Sequence, residues 1–180
     1  MKAAFGKKRR GEGRATADME ELFRQYGAMV QGYLTRLSGN VELARELTQE
    51  TFYQAEKHIE RFDGKSGVST WLCGIARHLY LNALRRARRE TPLAEELLAP
   101  GDVVDELCRR DRAMVAHRLL HQLAEPYREV FTLRTFCELT HEQIGELFGK
   151  SAAWSRVAYY RARQMLREAM EENADEREEK

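Results

Sequence analysis

The first proline of this 180-residue chain stands at position 92 and the only others at 100 and 126, while apolar residues return every three or four positions over nearly its whole length. Proline breaks helices by removing a backbone donor, and a spacing near 3.6 gathers apolar side chains on one helical face. Nowhere does the chain sustain the period-two alternation of a half-buried strand. An all-α fold is the expectation.

Met19, Leu22, Phe23, Tyr26, Met29, Val30, Tyr33, Leu34 and Leu37 form the first stripe, and Ser38 to Asn40 supply a stop and a new start. A second helix places Val41, Ala44, Leu47, Thr51, Phe52, Ala55 and Ile59 inward, with Glu46, Gln49, Glu50 and Gln54 opposite. FDGKSG, from Phe62 to Gly67, breaks it. A third helix, capped by Ser69 or Thr70, carries Leu72, Ile75, Ala76, Leu79 and Ala83. Pro92, Pro100, Gly101 and a cluster of acids then mark a flexible linker.

The apolar pattern resumes at Val115, Leu119, Leu120 and Leu123, and Pro126 opens a further helix running to about Cys137. Thr140 and Gln143 have the spacing of a capping box, Ile144, Leu147 and Phe148 face inward, and Gly149 suits the left-handed residue that ends a helix. Ser151 can cap the next helix, which completes a helix-turn-helix. The expected organisation is two small helical domains, 18–89 and 113–170, joined by an acidic linker, 90–112. A basic tail, 1–17, precedes them and an acidic one, 171–180, follows.

Net charge is only +1, so its placement matters more than its sum. No acid occurs between Asp63 and Glu90, whereas Lys65, Arg77, Arg85, Arg86, Arg88 and Arg89 do. On the last helix Ala152, Ser155, Tyr159, Ala162, Leu166 and Ala169 share one face. Arg156, Tyr160, Arg163 and Arg167 line the other, flanked by Trp154, Val157 and Arg161. Arginines neutralise phosphates and reach guanine edges, and apolar or aromatic groups touch thymine methyls, so this row suits the DNA major groove.

Other chemistry finds no support. Cys73, Cys108 and Cys137 lie far apart without an apolar leader, which points to a reducing compartment and no disulfide. The apolar runs fall short of the roughly twenty residues that cross a bilayer, so a soluble protein without membrane insertion is expected. Both GKS segments lack the earlier glycine of a phosphate-binding loop, since Ile59 and Ile144 occupy its place. His117 with His121, and Cys137 with His141, each lack the further ligands zinc needs. No metal, cofactor, small-molecule substrate or catalytic set is expected.

Two long segments carry a resemblance. LFRQYGAMVQGYL and ARELTQETFYQAEKHIERFDGKSGVSTWLCGIARHLYLNALRR resemble the second conserved region of bacterial sigma factors of the extracytoplasmic-function group. LHQLAEPYREVFTLRTFCELTHEQIGELFGKSAAWSRVAYYRARQML resembles their fourth. The resemblance implies a non-enzymatic subunit that binds core RNA polymerase and directs it to promoters. Its implied partners are the clamp coiled coil of the largest polymerase subunit, the polymerase flap, promoter DNA and a cognate anti-sigma factor. The implied location is the bacterial cytoplasm, at the membrane where that anti-sigma factor is anchored there.

Position by position, Glu46, Leu47, Gln49, Glu50 and Phe52 match the clamp-binding segment, with internal packing the competing reading for Leu47 and Phe52. Lys65, Ser66, Trp71, Arg77, His78, Asn82, Arg85 and Arg86 fall in the element that opens the -10 sequence and captures an unstacked base. His78 and Asn82 replace the asparagine and aspartate common there, and Trp71 is a wedge or a core residue. Arg134, Arg156, Val157, Tyr160, Arg161 and Arg163 fall among the -35 contacts, where Trp154 either braces the turn or touches DNA. The rivals are a stand-alone helix-turn-helix regulator and a helical adaptor for acidic proteins.

Overall fold

The protein is described by a computed structural model that covers residues 12–62, 64–90 and 112–178. Within them the chain forms seven α-helices: α1 (Glu12–Ser38), α2 (Val41–His58), α3 (Val68–Glu90), α4 (Arg112–Gln122), α5 (Tyr127–Thr135), α6 (His141–Phe148) and α7 (Ala152–Glu178), with a 3-10 turn at Ile59–Arg61. α1 starts inside the stretch expected to be a tail, and α7 continues past residue 170. The linker between Glu90 and Arg112, residues 1–11, Asp63 and residues 179–180 lie outside the described residues.

Local chemistry sets the ends of these helices. Gly39 turns the chain at φ 68°, and Asn40 Oδ1 accepts from the Leu43 amide at 3.0 Å to start α2. Thr140 and Gln143 complete the capping box, with contacts of 3.3 and 2.7 Å. The start of α3 differs from expectation. The Gly67 carbonyl accepts the Trp71 amide at 3.0 Å, which places Ser69 and Thr70 inside the first turn, and the buried Thr70 Oγ1 finds no hydrogen-bond partner.

α1, α2 and α3 pack around Tyr33, Leu34, Leu37 and Leu72, all buried. Each side chain of this size contributes about 1.5–3 kcal/mol by leaving water. Tyr80, outside the expected stripe, is buried too because its hydroxyl donates to the Leu37 carbonyl at 3.0 Å. Val41, expected inward, is exposed. Helical side chains lean over the preceding turn, and the first residue of α2 has none to lean on. Phe23 is also half exposed, although its ring meets Phe52 edge-on at 4.9 Å.

α5, α6 and α7 pack around Val130, Leu133, Leu139, Ile144, Ala158 and Ala162. The two halves are not held apart. Leu72 and Cys73 of α3 share one continuous core with Val130, Leu133 and Cys137. Cys73 and Cys137 are free thiols buried in that seam, and Cys73 Sγ lies 3.9 Å from Met29 Sδ.

His117 and His121 pack with ring centroids 4.6 Å apart and planes inclined by 57°. Partial burial, then the charges of His117, Arg128 and Arg36, push His121 down to about 4 from its ordinary 6.5. A depressed folded-state pKa means that the fold prefers neutral His121, so this contribution is complete above 6.5 and lost as pH falls towards 4. Thermal melts are expected to lose stability between about pH 6.5 and pH 5, with a shallower loss in His121→Gln. Parallel profiles for the two proteins would show that His121 is not the group responsible.

Candidate nucleic-acid interface

The turn between α6 and α7 is built for close approach. Gly149 ends α6 at φ 63°, Lys150 donates its amide to the Gly145 carbonyl at 2.8 Å, and Ser151 Oγ accepts from the Trp154 amide at 3.2 Å. A Cβ on Gly145 would stand 2.8 Å from the Lys150 oxygen and 3.0 Å from the Ser151 carbonyl carbon. His141 Nδ1 and Ser155 Oγ, 3.0 Å apart, tie the start of α6 to α7. Partial burial and the charges of Arg134 and Arg156 hold His141 below its ordinary pKa.

This turn presents one face of α7 to solvent. Val157 is 51% and Tyr160 67% exposed, with Arg156 and Arg161 beside them, while Ser155, Ala158 and Ala162 are buried. Tyr159 packs against Phe131, with ring centroids 5.7 Å apart. The competing readings of Trp154 resolve towards bracing, because its ring lies 5.1 Å from that of Phe148.

Two residues expected among the -35 contacts have other work. Arg134 donates to the Leu139 carbonyl at 3.1 Å and so holds the loop between α5 and α6. Arg163 reaches over Tyr159, 6.0 Å from its centroid, and lines a groove of about 740 Å³ with Arg36, Leu120, Phe136 and Met170. Arg156 makes an exposed 3.4 Å pair with Glu142, worth little in water and easily exchanged for a phosphate.

On the other half a cleft of about 680 Å³ brings together Ser66, Trp71, His78 and Asn82 with Gln54, His58 and Thr70. The Trp71 ring packs 4.8 Å from that of Phe62, tilted by 30°, so it serves as both a cleft wall and a packed ring. Asn82 Nδ2 and His78 Nε2 are 2.9 Å apart, and Arg85 donates to Asn82 Oδ1 at 3.2 Å. The two residues that depart from the family pattern therefore hold each other. Lys65, Arg85 and Arg86 are exposed beside the cleft. The sequence reading missed Gln54 and His58, although their four-residue spacing places both on one face of α2.

Arg77 corrects an expectation. Expected as a cation facing DNA, it instead donates from Nε to Glu129 Oε1 at 2.8 Å across the seam, with its guanidinium 4.3 Å above the Phe148 ring. Glu129 is 4% exposed. Burial raises its pKa despite the opposing Arg77 charge and the Tyr33 hydrogen bond.

Of the expected polymerase-facing residues, Glu46 and Gln49 are exposed, Leu47 and Glu50 are half-buried, and Glu50 accepts from Gln54 at 2.6 Å. Phe52 is a correction: it is 5% exposed and packs inside. The exposed ring is its neighbour Tyr53, with Lys57 Nζ 4.1 Å above it. Phe23, Phe52 and Tyr53 line a hollow of about 450 Å³.

The described residues contain no cluster of metal-binding side chains and no helix long and apolar enough to cross a membrane. The family described as Sigma-70 region 2 matches residues 22–90, and Sigma-70, region 4 matches residues 113–166. The chain is 30% identical to "RNA polymerase sigma factor YlaC" of Bacillus subtilis over 88% of its own length and 95% of the relative's. It is 27% identical to "ECF RNA polymerase sigma factor SigM" of the same organism, over 83% and 93% respectively. In fold it is similar to the sigma factor RpoE of Bartonella quintana, solved with the anti-sigma factor NepR. That match has a TM-score of 0.70 at 18% identity and covers 86% of this chain and 97% of that one. A similar match, with a TM-score of 0.65 at 16% identity over 88% and 94%, is to CnrH, solved with the cytosolic domain of CnrY. Matches to both regions, in order along one chain, disfavour a stand-alone helix-turn-helix regulator. The chain belongs to the extracytoplasmic-function group of the sigma-70 family, the RNA polymerase sigma factors that direct transcription initiation.

Proposed function

We propose that this sigma factor divides promoter reading between its halves: α7 reads duplex -35 DNA with Arg156, Val157, Tyr160 and Arg161, and the α3 cleft captures an unstacked -10 base. The exposed face of α7, set out from a glycine-tight turn, carries the reading most directly. Arg156 and Arg161 supply charge and guanine-directed donors, and Val157 and Tyr160 supply surface for thymine methyls. A flipped base needs an enclosed wall, polar edges and cations along its backbone. The cleft offers Trp71, the His78–Asn82 pair, and Arg85 with Arg86.

Core polymerase binds Glu46, Gln49 and the α1–α2 surface around Tyr53, and an anti-sigma factor restrains the chain until it is needed. The protein works in the cytoplasm, performs no covalent chemistry and uses no cofactor. Run-off transcription with purified core enzyme tests the whole reading: core plus this chain should start at a defined subset of promoters that core alone ignores. Tight, specific operator binding without core would point back to a stand-alone regulator.

Mutation separates the two DNA roles. Arg161→Ala is expected to cost about 1–3 kcal/mol at particular -35 base pairs and little at others. Arg85→Ala or Arg86→Ala should weaken all sequences evenly and reduce the dependence on salt. Identical behaviour of all three in competition binding by holoenzyme would remove this division into base and phosphate contacts.

A further inference from the structure

We propose that the second half of the chain is a resident competitor of single-stranded promoter DNA: it seats on the α3 face that the strand needs and is latched there through Glu129. The inference rests on the assignment of the α3 cleft to -10 DNA and adds its regulation. Glu129 is the only buried carboxylate among the described residues. Its Oε1 accepts both Arg77 Nε at 2.8 Å and the Tyr33 hydroxyl at 2.7 Å. Both donors belong to the first half, on α3 and α1, and the acceptor belongs to α5 of the second. The hydrogen-bonded charge group therefore exists only while the halves are closed.

Next to it, α6 lies over the cleft. Phe148 covers the Arg77 guanidinium at 4.3 Å, and a Cβ on Gly74 would come within 3.3 Å of Leu147 Cδ2. Leu147 and Glu146 form part of the wall of the cleft that holds His78 and Asn82. A strand entering this cleft meets the carboxylate of Glu146 where its phosphates would run, a like-charge contact that opposes entry. It also finds Arg77, on the same helix as His78 and Asn82, already paired with Glu129. The guanidinium has two alternative anions, a carboxylate of its own chain and a phosphate of the promoter, and can serve one at a time. Opening exposes both members of the pair to water, so breaking the latch costs less than stranding one charge inside. That makes the closed form reversible.

The test uses the full-length chain without core, a fluorescent single-stranded -10 nontemplate oligonucleotide, and small-angle X-ray scattering. Wild type should be compact and bind weakly. Leu147→Glu places a second carboxylate against α3 from the surface of α6, and Glu129→Ala leaves Arg77 without its anion. Each is expected to expand the chain and to bind the oligonucleotide about tenfold more tightly, as the closed fraction no longer reduces the apparent affinity. Should Glu129→Ala prove unfolded by circular dichroism, Leu147→Glu decides alone. Expansion without tighter binding overturns the proposal, as does wild type that binds the oligonucleotide while keeping its compact scattering curve. Failure of the underlying -10 assignment appears separately, as wild-type holoenzyme that initiates on a premelted template regardless of the -10 sequence.

Discussion

Leu133→Ala is expected to lower the stability of the folded chain by about 2–5 kcal/mol, one of the two largest effects anticipated here. Leu133 is fully buried on α5, and its carbonyl accepts the Leu139 amide at 3.1 Å, the bond that turns the chain towards α6. It belongs to the core shared by both halves, with Val130, Cys137, Leu139 and Ile144 on one side and Leu72 and Cys73 on the other. Truncation removes the transfer free energy of the lost carbons and leaves a cavity that two packed elements cannot easily collapse into. Urea unfolding monitored by circular dichroism measures the loss directly. The midpoint should fall with little change in slope, because the surface exposed on unfolding is nearly unchanged. A cost under about 1 kcal/mol would show that the seam is loosely packed, contrary to the continuous core described.

The second large effect is expected at Gly145, where the contact is steric. A Cβ there would lie 2.8 Å from the Lys150 oxygen, 3.0 Å from the Ser151 carbonyl carbon and 3.1 Å from the Ala152 nitrogen. All three are backbone atoms, which cannot swing aside as a side chain could. Gly145→Val must therefore open the turn between α6 and α7, at a cost of about 1–3 kcal/mol for overpacking. The larger effect is functional. α7 is set relative to α6 by this approach, so its exposed face would shift against the groove we propose it reads, and -35-dependent transcription should fall by about tenfold or more. Binding to core polymerase, which we assign to α1 and α2, should be retained. Loss of core binding and promoter activity together would indicate general unfolding, and full -35 activity would show that the turn tolerates the branched side chain.

Much of this was legible in the sequence because it depends on near neighbours. The capping box at Thr140 and Gln143, the left-handed Gly149 and the Ser151 cap are local patterns, and each stands as read. The division of α7 between buried Ser155 and Ala162 and exposed Arg156 and Tyr160 follows from the helical period alone. Ser69 and Thr70 are good caps by type and so suggest a start for α3 two to three residues late, whereas the Gly67 carbonyl takes that place. Gln54 and His58 were passed over because nothing within α2 shows that α3 turns a cleft towards them.

By itself, the sequence determined that the chain is helical, where most helices begin and end, and that two regions of a sigma factor lie in order along it. These properties are fixed by residues within a turn or two of one another and by long runs of family-like sequence. Only the tertiary structure decided what each basic residue does. Arg77, Arg134 and Arg161 look alike along the chain, yet one is paired with the buried Glu129, one holds the Leu139 carbonyl and one is exposed. The physical reason is that a guanidinium takes its role from the anion or carbonyl within about 3 Å of it. For Arg77 that anion is fifty-two positions away, and only the packing of α5 against α1 and α3 brings it near.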